Sequence, residues 1–380
     1  MNSNIADTWD TSQAVRYHYD KFPPQNLDYA RLLDSLAKAS AAIARFDQML
    51  KNVMHNSEIL LAPLRNQEAV ISSRMEGTVS TIDEILRYEA EYDDETQSQY
   101  NVRSDVVETY LYQRALKNAQ HALEQGQPLS AWLIKAAHQS LLSFGRGATK
   151  SPGNYKTEQN YLADKPKKKI LFVPIKPDML QIGLDKLFDY IKDSPEQILI
   201  RTSVSHVEFE ALHPFEDGNG RIGRMLITLM LWQANVISKP HFYISGYLEE
   251  HKDLYIDLMR GVSQDDNWTE WCLFFLDALE AQANRNLEVA EAIQALYNEM
   301  KVVFTKLLKS KWSVITLDFV FANPIFKNTR FVTETRVSDS TSSKFMKLLT
   351  DAELISVIQE PSGRRPALYA FEPLLRLVRV

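Results

Sequence analysis

Four residues that can do chemistry fall within one segment of twelve, HPFEDGNGRIGR, running from His213 to Arg224. Arg221 and Arg224 are three apart, so on a helix they share a face and can both reach one polyphosphate. Gly218 and Gly220 remove side chains, which lets phosphate oxygens approach backbone N–H groups at the start of a helix. Asp217 would repel a bare phosphate and makes sense with Mg2+ between the two. His213 stands at the edge, where it can take a proton from an incoming hydroxyl. Pro214 and Phe215 anchor the loop in the core. These parts point to nucleotidyl or phosphoryl transfer onto a hydroxyl.

The chemistry needs a helix that stops at the histidine and another that starts at the arginines. Pro214 disfavours helical backbone at His213 and so ends the first. Ser194, Pro195 and Gln197 are expected to open that helix, which carries ILIRTSVSHVEFEAL. The second begins after Asn219-Gly220 as RIGRMLITLMLWQAN. Gly218, Gly220 and Gly223 also spell G-x-G-x-x-G, but a dinucleotide site needs a strand before it and an acid about twenty residues on. A helix precedes here, and the region near 240 is SKPHFYIS, so that reading is rejected. The chain contains no Walker A loop and no H-E-x-x-H. His206, two helical turns before His213, reads as a hydrogen-bonded structural histidine rather than a metal ligand.

Further elements must position this loop. Residues 1–25 read as an arm, extended around Pro23 and Pro24. From Asp28, Leu32, Leu33, Leu36, Ala39, Ile43, Phe46 and Leu50 mark one helical face. A second helix is expected from Glu58 to Met75, stopping at Gly77, and a third opens at Thr81 with Glu84 as its capping-box partner. Two more carry VVETYLYQRALKNA and AWLIKAAHQSLL. Residues 155–177 hold two apolar runs around the polar DKPKK, which predicts a β-hairpin, with Lys167–Lys169 as a solvated turn. A long helical stretch runs to about Lys309. The last seventy residues mix helices with two strands around PSGRRP, the pattern of a winged-helix module.

The composition fits a soluble multidomain protein: 380 residues, 45% hydrophobic, 24% charged, net charge −6. One cysteine, Cys272, excludes a disulfide framework and a cysteine zinc site within the chain. The polar opening MNSNIADTWD is no leader, and MLITLMLW is too short to span a bilayer, so a cytoplasmic protein with no membrane partner is expected. The final seventy residues carry 10 Lys/Arg against 7 Asp/Glu, a modest excess for a DNA reader, so DNA stays open as a partner of that module.

HPFEDGNGRIGR resembles the signature H-x-F-x-[DE]-G-N-G-R-x-x-R of the Fic family of AMP transferases, and every fixed position matches. The resemblance implies that His213 deprotonates a Tyr, Thr or Ser hydroxyl of a target protein, which takes AMP from ATP with loss of pyrophosphate. It implies Asp217 as the Mg2+ ligand, Gly218, Asn219 and Gly220 as the phosphate cradle, and Arg221 and Arg224 as phosphate partners. SSRMEG (72–77) is similar to that family's inhibitory motif [ST]-x-x-x-E-[GN], which implies that Glu76 pairs with Arg224 and displaces the γ-phosphate. ATP would then bind out of line for attack. The hairpin falls where the family has its flap, which implies a target strand added there and Asn160, Tyr161, Leu162 and Ala163 beside the nucleotide. HKDLYIDLMRGV resembles the stretch at the adenine, giving Tyr255 and, in place of a neighbouring tyrosine, Leu254.

The expected fold is therefore mainly α: a Fic-type helical core with a β-hairpin flap and a small C-terminal α+β winged-helix domain. The divisions expected are 1–100 (arm and inhibitory helix), 101–285 (catalytic core) and 286–380 (linker helix and winged helix). The resemblance also implies a homodimer and self-modification. Two other readings keep the same residues: AMP removal or transfer of another phosphate-bearing group by this site, and a nucleotide-sensing DNA-binding regulator. Phosphate binding alone has no need of His213, which argues against a pure sensor.

Overall fold

The computed structural model describes residues 8–52, 58–91, 102–164, 166–362 and 366–379. The first seven residues of the arm, the 100/101 division, Lys165 of DKPKK and residues 363–365 of PSGRRP lie outside the described residues. A short strand β1 (Val15–Arg16) precedes α1 (Tyr29–Asn52), α2 (Glu58–Met75), α3 (Ile82–Glu91), α4 (Ser104–Glu124) and α5 (Ala131–Leu141). The hairpin β2 (Leu162–Asp164) and β3 (Lys169–Val173) leads into α6 (Pro177–Asp193), α7 (Ile198–Leu212) and α8 (Asn219–Gln233). Then come α9 (Ser245–Glu250), α10 (Lys252–Asp265) and α11 (Trp268–Leu308). The chain closes with α12 (Ser313–Ala322), β4 (Ile325–Lys327), α13 (Asn328–Thr335), α14 (Asp339–Asp351), β5 (Ser356–Gln359), β6 (Leu368–Ala370) and α15 (Glu372–Val378). The fold is mainly α, as expected.

Local chemistry explains most of the boundaries. Thr81 Oγ1 accepts from the Glu84 N–H at 3.2 Å and the Glu84 carboxylate from the Thr81 N–H at 2.9 Å, a complete capping box. Leu32, Ala39, Ile43, Phe46 and Leu50 of α1 are buried, and α1 packs along α11. Leu33 of the expected face is 67% exposed, because Ala42 and Asp47 shift the buried stripe away from it. The helix leading to the loop opens later than expected: Gln197, not Ser194, is its N-cap, its side chain accepting from the Leu199 N–H at 2.6 Å. Residues 177–193, not read as a helix from sequence, form α6, with Pro177 in its first turn and Leu180, Leu184, Leu187 and Ile191 buried.

The arm does not hang free. β1 pairs in parallel with β3, making a sheet in the order β1-β3-β2. A buried carboxylate on α7 holds it there: Tyr17 donates to Glu208 Oε1 at 2.7 Å, and His18 Nε2 lies 2.8 Å from Glu208 Oε2. His18 Nδ1 meets Ser263 Oγ at 2.7 Å. In the C-terminal module β4 adds to the two expected strands, giving the order β4-β6-β5. α11 runs unbroken through the expected 285/286 division, and one hydrophobic core reaches from Val15 to Val378. Among the described residues no helix is long and apolar enough to cross a membrane.

Candidate active site

α7 ends where proline chemistry requires. His213 adopts φ 45°, ψ 61°, outside the helical region, and its N–H still closes the last turn on Phe209 O at 3.0 Å. α8 then begins behind Gly218, whose φ of 80° is the left-handed turn that favours glycine. Asn219 staples the loop between them: its Oδ1 accepts from the Phe215 N–H and its Nδ2 donates to Phe215 O, both at 2.8 Å. Phe215 is buried and stacks on His138 of α5, with ring centroids 3.7 Å apart.

His138 was not singled out by sequence, although it is a polar group on the apolar face Leu133, Ile134, Ala137, Leu141. Its Nδ1 accepts from the Gly153 N–H at 2.8 Å and its Nε2 donates to Asp217 O at 2.9 Å. Those partners fix one neutral tautomer. Burial, then the nearby Arg221, pushes its pKa down to about 4. His213 is also held neutral, its pKa pushed down to about 4, first by burial and next by the Lys156 charge. Its Nδ1 lies 3.4 Å from Glu210 O, so Nδ1 carries the hydrogen and Nε2 keeps the lone pair a base needs.

Lys156 and Asn160 join the base of the hairpin to this loop. Lys156 Nζ donates to Leu212 O at 3.0 Å and to Asn160 Oδ1 at 2.8 Å. Asn160 Nδ2 donates to His213 O and Phe215 O, both at 3.0 Å, so two hairpin side chains grip the carbonyls flanking the histidine. Nothing in YKTEQN marks Lys156 as buried; its neighbours are polar. Burial lowers its pKa to about 7.

The arginines differ in a telling way. Arg221 has Nε and Nη1 buried with no hydrogen-bond partner among the described residues, and its Nη2 is 4.0 Å from Asp217 Oδ1. Buried guanidinium nitrogens left unmatched at a helix N-terminus describe a place for an anion. Arg224 is engaged through Nε and Nη2 instead. Its Nε donates to Ser72 Oγ, and its Nη2 to Ser72 O and Glu76 Oε1, all at 2.8 Å. Burial would raise the Glu76 pKa, but Arg224, then Arg221, outweigh it and hold the carboxyl below its ordinary range. Gly220 permits this, because a Cβ there would collide with Glu76 Oε1. Asp217 has 44% of its side chain exposed, and its Oδ1 accepts from the Gly218 N–H at 2.7 Å. Among the described residues no three His, Cys, Asp or Glu groups gather as a metal cage. Asp217 fits Mg2+ in the manner of ions held by one carboxylate together with phosphate and water oxygens.

Beside the loop a cavity of about 320 Å3 opens between the hairpin and α10. Leu162, Ala163 and Ile256 line it, with Val207 and Glu210 of α7. A register shift between Leu162 and Ala163 turns both toward the cavity. Tyr161 is not brought there; it lines a separate groove with Tyr19 and Pro174. Leu254 is 50% exposed, and Ile256, on the other side of Tyr255, takes the lining place expected of it. Tyr255 is buried, its hydroxyl 2.8 Å from His206 Nε2, while His206 Nδ1 donates to Gly223 O at 3.2 Å. His206 is thus a bonded histidine within the core. Glu210 carries no sequence signal: its Oε1 is buried without a partner among the described residues, and burial raises its pKa to about 7.

Fold and site together describe a helical protein in which a glycine-turned loop joins two helices, with a neutral histidine at one end of the loop and a hairpin beside it. The sequence profile of the Fic/DOC family N-terminal region matches residues 33–121, and that of the Fic/DOC family matches residues 128–231, together just over half the chain. The chain belongs to the Fic/DOC family. It is 26% identical over 93 residues to protein adenylyltransferase fic-1 of Caenorhabditis elegans, 22% of this chain and 18% of that protein. It is 25% identical over 112 residues to the fic-1 of Caenorhabditis briggsae, 27% of this chain and 21% of that one. The match thus spans about a fifth of the length of these relatives. A solved Fic family protein from Desulfovibrio desulfuricans G20 superposes with a TM-score of 0.58 at 18% identity, covering 92% of this chain and 98% of the other.

Proposed function

We propose that this chain is a protein adenylyltransferase held in check by its own Glu76. The observation that carries the reading is Arg221: two buried guanidinium nitrogens without partners, at the N-terminus of α8, eight residues from a histidine kept neutral. Phosphate oxygens of ATP would satisfy those nitrogens and the N–H groups of the Gly218–Gly220 turn. A target hydroxyl, its strand laid along the 155–177 hairpin, would lose its proton to His213 Nε2 and attack the α-phosphorus. A phosphate ester forms, the α–β anhydride bond breaks, and pyrophosphate leaves. Asp217 would hold a Mg2+ ion that neutralises phosphate charge. Leu162, Ala163 and Ile256 would cover the base in the apolar cavity.

The Arg224–Glu76 pair supports inhibition within the chain. A γ-phosphate needs the cation that Glu76 already holds, so ATP would settle with its α-phosphorus out of line. The order α12-β4-α13-α14-β5-β6 supports a winged-helix reading of the last module.

The test is intact mass after incubation with Mg-ATP. Glu76→Gly should gain adenylyl mass, wild type should gain less, and Glu76→Gly with His213→Ala should gain none. Gain of phosphate mass would replace AMP transfer with another reaction. Equal gain by wild type and Glu76→Gly would remove the inhibition. A Glu76→Gly protein that modifies neither itself nor any protein in a cell lysate would sink the reading.

A further inference from the structure

The corner that carries Glu76 is gripped from two sides. On the inner side, Arg74 makes a two-pronged bond to Glu249 of α9, both distances 2.7 Å, and Lys252 of α10 donates to Met75 O at 2.9 Å. The outer side belongs to a part of the chain that supplies nothing to the loop. Gln67 of α2, nine residues before Glu76, donates to Val378 O at 3.0 Å. Asp83 of α3, seven residues after Glu76, accepts from Arg379 through both oxygens, at 3.1 and 2.7 Å. Adjacent residues at the end of α15 therefore hold both arms of the α2–α3 corner.

Packing follows the same line. Val70 of α2 and Ile82, Ile85 and Leu86 of α3 are buried with Ile325, Leu368 and Leu375 of the C-terminal module in a small core separate from the main one. Glu76 itself keeps 34% of its side chain exposed, so its own packing is not enough to lock it. Its position follows from where α2 and α3 stand, and their outer faces are covered by β4, β6 and α15.

We propose that the C-terminal module positions the inhibitory glutamate: seated across the α2–α3 corner, it sets the strength of the Glu76–Arg224 contact. A partner that lifts or displaces α15 then weakens that contact and frees Arg224. The proposal rests on the reading of Glu76 as inhibitor. It couples the module to the site through contiguous contacts: α15, the small core, the corner, Glu76 and Arg224.

The test uses the full chain and the exposed end of the strap, where substitution spares the core. Arg379→Glu places like charges against Asp83 and against Glu372 of α15, which Arg379 also holds at 3.1 Å, and Asp83→Arg restores the attraction between strap and corner with the sign reversed. Arg379→Glu should raise AMP transfer about two- to fivefold, the range within which an exposed ion pair shifts an equilibrium. Asp83→Arg in the same chain should return the rate toward wild type. In a Glu76→Gly background Arg379→Glu should change nothing, because the group it positions is gone. Amide hydrogen exchange over residues 72–77 should quicken in Arg379→Glu and slow again in the charge-reversed pair. Equal acceleration with and without Glu76, or unchanged exchange at 72–77, overturns the proposal. A Glu76→Gly protein no faster than wild type defeats the inhibitory reading instead, and the exchange measurement still decides whether the strap holds the corner.

Discussion

Lowering the pH from 7 to 5 should cost the fold about 2 kcal/mol through His138 alone, at 1.36 kcal/mol per unit of pKa. The ring is buried, stacked on Phe215, and bonded as a neutral tautomer to Gly153 N–H and Asp217 O. Its pKa is about 4 in the fold, against 6.5 for the free side chain. The folded value is depressed, so this contribution is complete above pH 6.5 and drains away as the pH falls toward 4. Between those values only the unfolded chain takes up the proton. His206, at about 3, and His213, at about 4, add acid lability of the same sign, so a single curve cannot isolate His138. A comparison can. His138→Gln keeps a donor and an acceptor but does not titrate. Urea unfolding of both proteins at pH 7 and pH 5 gives two losses of stability, and the wild-type loss should be larger by about 2 kcal/mol. Lost stacking lowers the variant at both pH values and drops out of the comparison. Equal losses would mean that His138 is not held neutral, and the account of how α5 fixes the Asp217 carbonyl would fall with it.

Asn219→Ala should lower stability by about 2 kcal/mol in urea unfolding, because the buried Phe215 N–H loses its partner while Phe215 O keeps Asn160. A loss below about 0.5 kcal/mol would show that the staple is dispensable. Asp217→Ala should weaken Mg-ATP binding measured by calorimetry and leave metal-free ATP binding equal or tighter, because the carboxylate repels a bare phosphate. Equal weakening of both would give Asp217 a role in the loop rather than at the ion.

How much of this was legible in sequence depends on distance along the chain. The loop could be read because its determinants are contiguous: Pro214 ends α7, Gly218 turns the chain, and the arginines follow one turn apart. The capping box at Thr81–Glu84 is local in the same way. Glu76 and Arg224 are 148 positions apart, and only resemblance to a family put them together. Lys156 and His138 act through partners on other elements, Glu210 lines a cavity that only the fold assembles, and no spacing rule connects residues that meet only in space. α6 is the opposite case. Its apolar positions and Pro177 are local signals, but they follow directly on the strand-like run that ends at 177, and no capping side chain separates the two.

The position of the hairpin follows from the same chemistry. A two-stranded hairpin alone is marginal in water, and this one bears on the loop through Lys156 and Asn160 at its base, with Tyr155 packed on Phe215. The arm adds β1 as a third strand, and the buried Glu208 anchors that arm through Tyr17 and His18. Glu208, near the end of α7, and His213, its C-cap, lie five residues apart, so one helix end carries both the anchor of the sheet and the histidine beneath it. A segment that reads from sequence as a proline-bearing arm is therefore part of what fixes the hairpin over His213.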